Sequence, residues 1–193
     1  MNWTVLNSCL YLEMLYENFR PTLGEDGKTY VFANAAGDGA VPMIALPDLA
    51  EYTKWVFENP EEARGAIIDA ATEHVRWNDV AKGFTDVTGK PAIVQSITPR
   101  QFGEAVASQS QDGLETRFGA GGMKVADNFT GFMEVHSLAV PGTQGLWPVD
   151  YARLDKIFPG RVKSIGDWMK KVNYTGEDVK NVLRTKEELI AVK

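Results

Sequence analysis

The chain has 193 residues, of which 44% are hydrophobic and five are tryptophan; that is enough apolar material for one substantial core, and the length argues for one domain or one domain with an appendage. With 26 acidic against 20 basic residues the formal charge is −6, which opposes direct nucleic-acid binding, a role that needs clustered Lys and Arg. Cys9 is the one cysteine, so an intrachain disulfide and a multi-thiolate zinc site are both excluded, as suits a reducing compartment. No basic leader precedes Tyr11, and no apolar run approaches the ~20 residues of a membrane helix. Secretion and membrane insertion are therefore not expected; the expected location is the cytoplasm, with the nucleus as the alternative.

In chain order, Trp3-Thr4-Val5-Leu6 is a β-prone run, as though the chain enters the middle of a sheet. Leu12, Leu15, Tyr16 and Phe19 fall at helical spacing over residues 10–19, closed by Pro21 and Gly24. Residues 28–33 and 41–46 read as short strands around the loop Ala35-Ala36-Gly37-Asp38-Gly39-Ala40. Asp48 is placed to cap the next helix with Glu51 as its capping-box partner, and Leu49, Tyr52, Val56 and Phe57 supply an apolar stripe ending at Asn59-Pro60. Residues 65–70 read as a strand. A helix capped by Asn78 then uses Val80, Ala81, Phe84 and Val87 and stops at Gly89-Lys90-Pro91.

After a strand over 92–97, Thr98-Pro99-Arg100-Gln101 sets a cap, a proline and a glutamine in capping-box order, so a helix through Phe102 and Val106 is predicted. The Ser-, Gln- and Gly-rich stretch 108–122 reads as a loop. Beyond it, Phe129, Phe132, Met133 and His136 share one helical face, as do Ile165, Trp168, Met169 and Val172, and Thr185 opens a last capping box with Glu188. Strand and helix alternate up to residue 107, so the fold class is α/β.

Several of these phrases carry a resemblance. Trp3-Thr4-Val5-Leu6 followed by Tyr11-Leu12-Glu13 is similar to the strand and F-M-E-N stretch of NmrA-like proteins, atypical relatives of the short-chain dehydrogenases, with Asn7-Ser8 where the family usually has Arg-Pro. The segments 44–50 and 65–70 resemble the family's later strands and helix, and Phe84-Thr85-Asp86-Val87-Thr88-Gly89-Lys90-Pro91 matches best. Ser164-Ile165-Gly166-Asp167-Trp168 and Tyr174-Thr175-Gly176 look like fungal members.

The resemblance implies the C-terminal part of a Rossmann-like NAD(P)-binding fold. Residues 1–107 are then the later half of an NmrA-like domain, with a small substrate-side region, and 108–193 its loop and helical C-terminal appendage. The family's G-x-x-G-x-x-G turn, which brings backbone amides to a pyrophosphate, does not occur in this sequence, so the chain is expected to be a truncated form. The cofactor the resemblance implies is NAD(P), and the positions it assigns to cofactor binding are Asn7, Ser8, Leu10 and Tyr11. It implies a non-catalytic regulator or redox sensor with a regulatory protein partner and a small-molecule ligand. The competing functions are an NAD(P)H-dependent oxidoreductase of the isoflavone-reductase-like kind and a protein-interaction module.

Other constellations favour packing over chemistry. Gly37-Asp38-Gly39 and Gly119-Ala120-Gly121-Gly122 lack the strand-turn-helix context and third glycine of a phosphate loop. No tyrosine has a lysine four residues on; Tyr16 has Arg20 there, so the Tyr/Lys proton relay of ordinary reductases is missing and no catalytic residue is assigned. His74 and His136 lack metal-site spacing, and His136 is expected to be a packed histidine or a pocket wall. Cys9 reads as a small buried hydrophobe, and the acidic clusters at 58–62 and 187–188 as solvated faces.

Overall fold

The computed structural model describes residues 3–109, 113–115, 117, 121–139 and 143–177; the last predicted helix start, at Thr185, and residues 110–112, 116 and 118–120 of the 108–122 loop lie outside them. The architecture is α/β, with three small sheets and helices packed on them. Strand β1 (Val5–Ser8) pairs in parallel with β6 (Ile67–Ala70), with Asn7 opposite Asp69 and Ser8 opposite Ala70. Strand β2 (Leu10–Tyr11) runs parallel to β5 (Val41–Ile44), which takes β7 (Glu73–Val75) antiparallel on its other side. Strand β4 (Tyr30–Asn34) joins β3 (Thr22–Leu23) antiparallel and β8 (Ala92–Ser96) parallel.

The expected helix over 10–19 is a correction. Leu10 and Tyr11 are committed to pairing with Met43 and Ile44, and only Leu12–Tyr16 winds up, as a 3-10 turn. Strand pairing outweighs the weak helical periodicity of so short a run. Helix α1 (Leu46–Glu58) also starts earlier than expected. Pro47 occupies its first turn, where a proline is tolerated, so Ala45 is the N-cap and Asp48 lies inside the helix. Instead of capping, the Asp48 carboxylate is 2% exposed and accepts a hydrogen bond from Val162 N at 2.7 Å. Tyr52 is buried, whereas Phe57 at the margin of the stripe is 80% exposed.

After the short α2 (Pro60–Ala63) and β6, helix α3 (Trp77–Thr88) begins at Trp77 with Arg76 as its N-cap, not at Asn78, and ends at Gly89 as the sequence indicates. Helix α4 (Pro99–Ser108) carries the full Thr98/Gln101 capping box. It packs against α5 (Val125–Ser137), and Gly103 permits the crossing: a Cβ there would stand 2.3 Å from the Ala126 carbonyl oxygen. The short helices α6 (Tyr151–Ile157) and α7 (Ile165–Lys171) follow, capped by Asp150 and Ser164. Phe84, Trp168, Met169 and Tyr174 are buried with the β4 side of the molecule, while Tyr52, Ile68, Ala70, Val149 and Leu154 fill a second core between the β1/β6 pair and α1 and α6.

Candidate functional site

A cleft of about 420 Å³ opens where β1 and β6 end. Its floor is Asn7, Ser8 and Cys9 from the end of β1 and Asp69, Ala70 and Ala71 from the end of β6, with Pro42 of β5 beside them. These strands deliver adjacent residues to one rim because they are parallel and in register, and crevices outside the carboxyl ends of parallel strands are where open α/β sheets bind ligands. The opposite wall is aromatic: Phe132 and His136 of α5, then Trp147 and Val149 from the following loop. The His136 ring lies 4.3 Å from that of Phe132 and 5.0 Å from that of Trp147.

The polar groups are few and confined to one side. Asn7 Nδ2 donates to Asp69 Oδ1 at 2.8 Å, which keeps the carboxamide oxygen of Asn7 and the second oxygen of Asp69 as acceptors for a ligand N–H or O–H. Cys9 Sγ donates to the Ala70 carbonyl at 3.3 Å, and burial pushes its thiol up to about 12, so it is a packed group rather than a thiolate nucleophile. Burial likewise drives His136 down to about 4, despite a hydrogen bond to the Ala40 backbone, and the imidazole is neutral near pH 7. Gly39 makes that placement possible: a Cβ there would stand 2.0 Å from the His136 carbonyl oxygen.

Behind this wall His74 bridges two elements. Its Nε2 lies 2.9 Å from the Trp147 carbonyl and its Nδ1 2.7 Å from the Tyr151 hydroxyl. A carbonyl can only accept, so Nε2 carries the hydrogen; in the neutral ring that burial favours, Nδ1 is then the acceptor and the Tyr151 hydroxyl donates. Burial lowers the His74 pKa and raises that of Tyr151.

Of the four positions the resemblance assigned to the cofactor, Asn7 and Ser8 line the cleft, while Leu10 and Tyr11 turn their side chains toward the packed interior. His136 is both of the things the sequence suggested, a packed histidine and a pocket wall. Sequence reasoning passed over Asp69, Pro42 and Trp147, which are distant in the chain; the one local signal was Asp69, a charge between Ile68 and Ala70 in a strand. Gly39 serves close packing and Gly37 takes a left-handed turn at φ 56°, and Tyr16 packs on Trp168 and Tyr174. Within the 58–62 run, exposed Glu61 pairs with Arg64, as expected of a solvated face. Among the described residues no group of three or more His, Cys, Asp or Glu is arranged to hold a metal ion, and no helix is long and apolar enough to cross a membrane.

No family model and no curated protein sequence matches this chain. Solved structures do. A nucleoside-diphosphate-sugar epimerase from Staphylococcus aureus superposes with a TM-score of 0.61 at 9% identity, over 88% of this chain and 52% of its own. NmrA, a negative transcriptional regulator in complex with NAD, gives 0.58 at 13% identity, over 89% and 52%. The chain has the NmrA-like Rossmann-type fold. An NADPH-dependent quinone oxidoreductase from Escherichia coli shares it, with a TM-score of 0.56 at 18% identity over 90% of this chain and 56% of its own. At these identities the likeness is one of fold, and the chain spans about half the length of the structures it matches.

Proposed function

We propose that this NmrA-like chain is a regulatory or redox-sensing module, without turnover of its own, that supplies the nicotinamide end of an NAD(P) site. The observation that carries the reading is the cleft at the carboxyl ends of β1 and β6. Its composition fits that end of the cofactor: an aromatic wall to cover a ring, and Asn7 and Asp69 as acceptors for an amide N–H. It does not fit the pyrophosphate, because the chain lacks the glycine turn that would present backbone amides to it. A glycine-turn segment pairing along β1, whose one strand partner among the described residues is β6, would complete the grip. Bound NAD(P) would bring hydride chemistry; this chain's residues would orient the ring and exclude water from one face.

A sensing role is favoured over turnover by how the cleft's polar groups are held. Cys9 is held as a thiol, His136 is held neutral by burial, Asp69 is engaged by Asn7, and behind the wall the Tyr151 hydroxyl is engaged by His74. The partner of such a module would be a regulatory protein whose affinity follows the redox state of the nucleotide.

Saturation-transfer NMR with NAD tests the reading. The nicotinamide protons should receive saturation and the adenine protons none, with binding weaker than micromolar and further weakened by Asn7→Ala. Equal saturation of the adenine ring, or micromolar affinity for the whole dinucleotide, would overturn it, and steady NADPH consumption with a quinone would replace it by the oxidoreductase reading.

A further inference from the structure

The loop that carries Trp147 is held more firmly than its exposed position requires. The Gln144 side chain closes it on itself, donating to the Val149 carbonyl at 3.2 Å and accepting from Val149 N. Gly145 N donates to Thr143 Oγ1 at 3.2 Å, which tightens the same turn. The pinched loop is then tied to the body by His74 from β7, whose Nε2–H reaches the Trp147 carbonyl, and His74 is itself tied to the first residue of α6 by the Tyr151 hydroxyl. The His74 and Tyr151 rings meet edge to face, 5.9 Å between centroids, and the Arg161 guanidinium lies 5.3 Å over the other ring, Tyr151. Pro42, the strand partner of His74, is part of the cleft floor. One side chain thus reads out the floor, the loop and α6 together.

We infer that His74 and Tyr151 are positioning residues for the outer wall of the cleft: they hold the loop 143–149 so that Trp147 stands at the mouth, and the loop thereby selects a flat ring over a bulkier ligand. The inference rests on the cleft being the ligand site proposed above. Neither residue lines the cleft, so each acts through Trp147. The carbonyl fixes a hydrogen on Nε2, and in the neutral imidazole Nδ1 then accepts from the Tyr151 hydroxyl. A glutamine at 74 keeps an N–H at the end of a side chain of similar reach, whereas an alanine keeps none.

Two probes separate the outcomes in the full chain: Nile red, a neutral dye whose four fused rings are far larger than nicotinamide and which brightens in apolar clefts, and nicotinamide mononucleotide followed by saturation transfer. His74→Ala should bind Nile red more tightly and nicotinamide mononucleotide more weakly, each by about fivefold, the worth of one neutral hydrogen bond. Tyr151→Phe should move both in the same directions, and His74→Gln should return both to the parent values. Urea midpoints and near-ultraviolet dichroism report whether each variant is folded; if His74→Ala is not, Tyr151→Phe and His74→Gln decide. Unchanged probe binding in folded Tyr151→Phe, or a His74→Gln variant as open as His74→Ala, would overturn the inference. Were nicotinamide mononucleotide invisible in every variant while Nile red followed the pattern, the nucleotide reading would fail and the positioning role would stand.

Discussion

His136 shows how a single side chain links packing to acid sensitivity. The imidazole charges near 6.5 in an unfolded chain and near 4 here, so as pH falls the unfolded state takes up the proton first and stability declines between those values. The loss is at most about 1.4 kcal/mol per pH unit, or roughly 3 kcal/mol in all. Glu13, Asp48 and Glu73 oppose it, since burial raises their pKa values and makes the folded state the stronger proton binder. The clean measurement is therefore a difference: the stability gap between the parent and His136→Gln should narrow as urea titrations move from pH 7 to pH 4, and a gap independent of pH would contradict the burial argument. On the same helix, Met133 is fully buried whereas Phe132 is half-buried on the cleft. Met133→Ala should cost about 2–5 kcal/mol in chemical denaturation, as deep truncations do. Phe132→Ala should cost less and change ligand affinity instead, a division the shared helical spacing of the two residues cannot show.

At the scale of elements, helix-helix contact at Gly103 is a demand for space. A methyl group there would collide with the backbone of α5 at Ala126 and with Thr130 Oγ1 at 2.4 Å, so Gly103→Ala should lower the thermal midpoint although alanine is the better helix former. An unchanged midpoint would show that α4 and α5 can slide apart. The helix itself was legible, because Thr98, Pro99 and Gln101 form a signal complete within four residues, and the structure contains every bond of it. The start of α1 departs from its local signal for a physical reason. Asp48 and Glu51 have capping-box spacing, yet Pro47 sets the first turn, and the carboxylate is drawn inward to hold Val162, a partner 114 residues away. The segment around Arg161 is pinned in the same way: Arg161 donates to the Thr72 carbonyl at 2.8 Å and pairs with Asp155, and Ile165 N donates to Glu73.

For the whole molecule the telling feature is the β1/β6 pair. Parallel strands are normally covered on both faces, but here Trp3, Val5 and Ile67 are 50%, 41% and 53% exposed on one face, and the side of β1 away from β6 has no strand partner among the described residues. Such an edge recruits other chains. The chain should therefore self-associate as its concentration rises, and Val5→Lys should suppress this with little effect on the urea midpoint; light scattering of a concentration-independent monomer would contradict it.

By itself the sequence determined the alternation of strands and helices, the α4 box, the end of α3 at Gly89 and the α/β class, because those signals lie within one or two turns of chain. It also brought Asn7 and Ser8 forward, through the resemblance of the phrases around them. Only the tertiary structure decided that Asp69 stands beside Asn7, that Trp147 and His136 face them across a cleft, and that His74 ties the wall in place. Each of those pairings spans 60 or more residues except that of Trp147 with His136. They arise from parallel strand register and from the seating of α5 on Gly39, neither of which leaves a periodic trace in the chain.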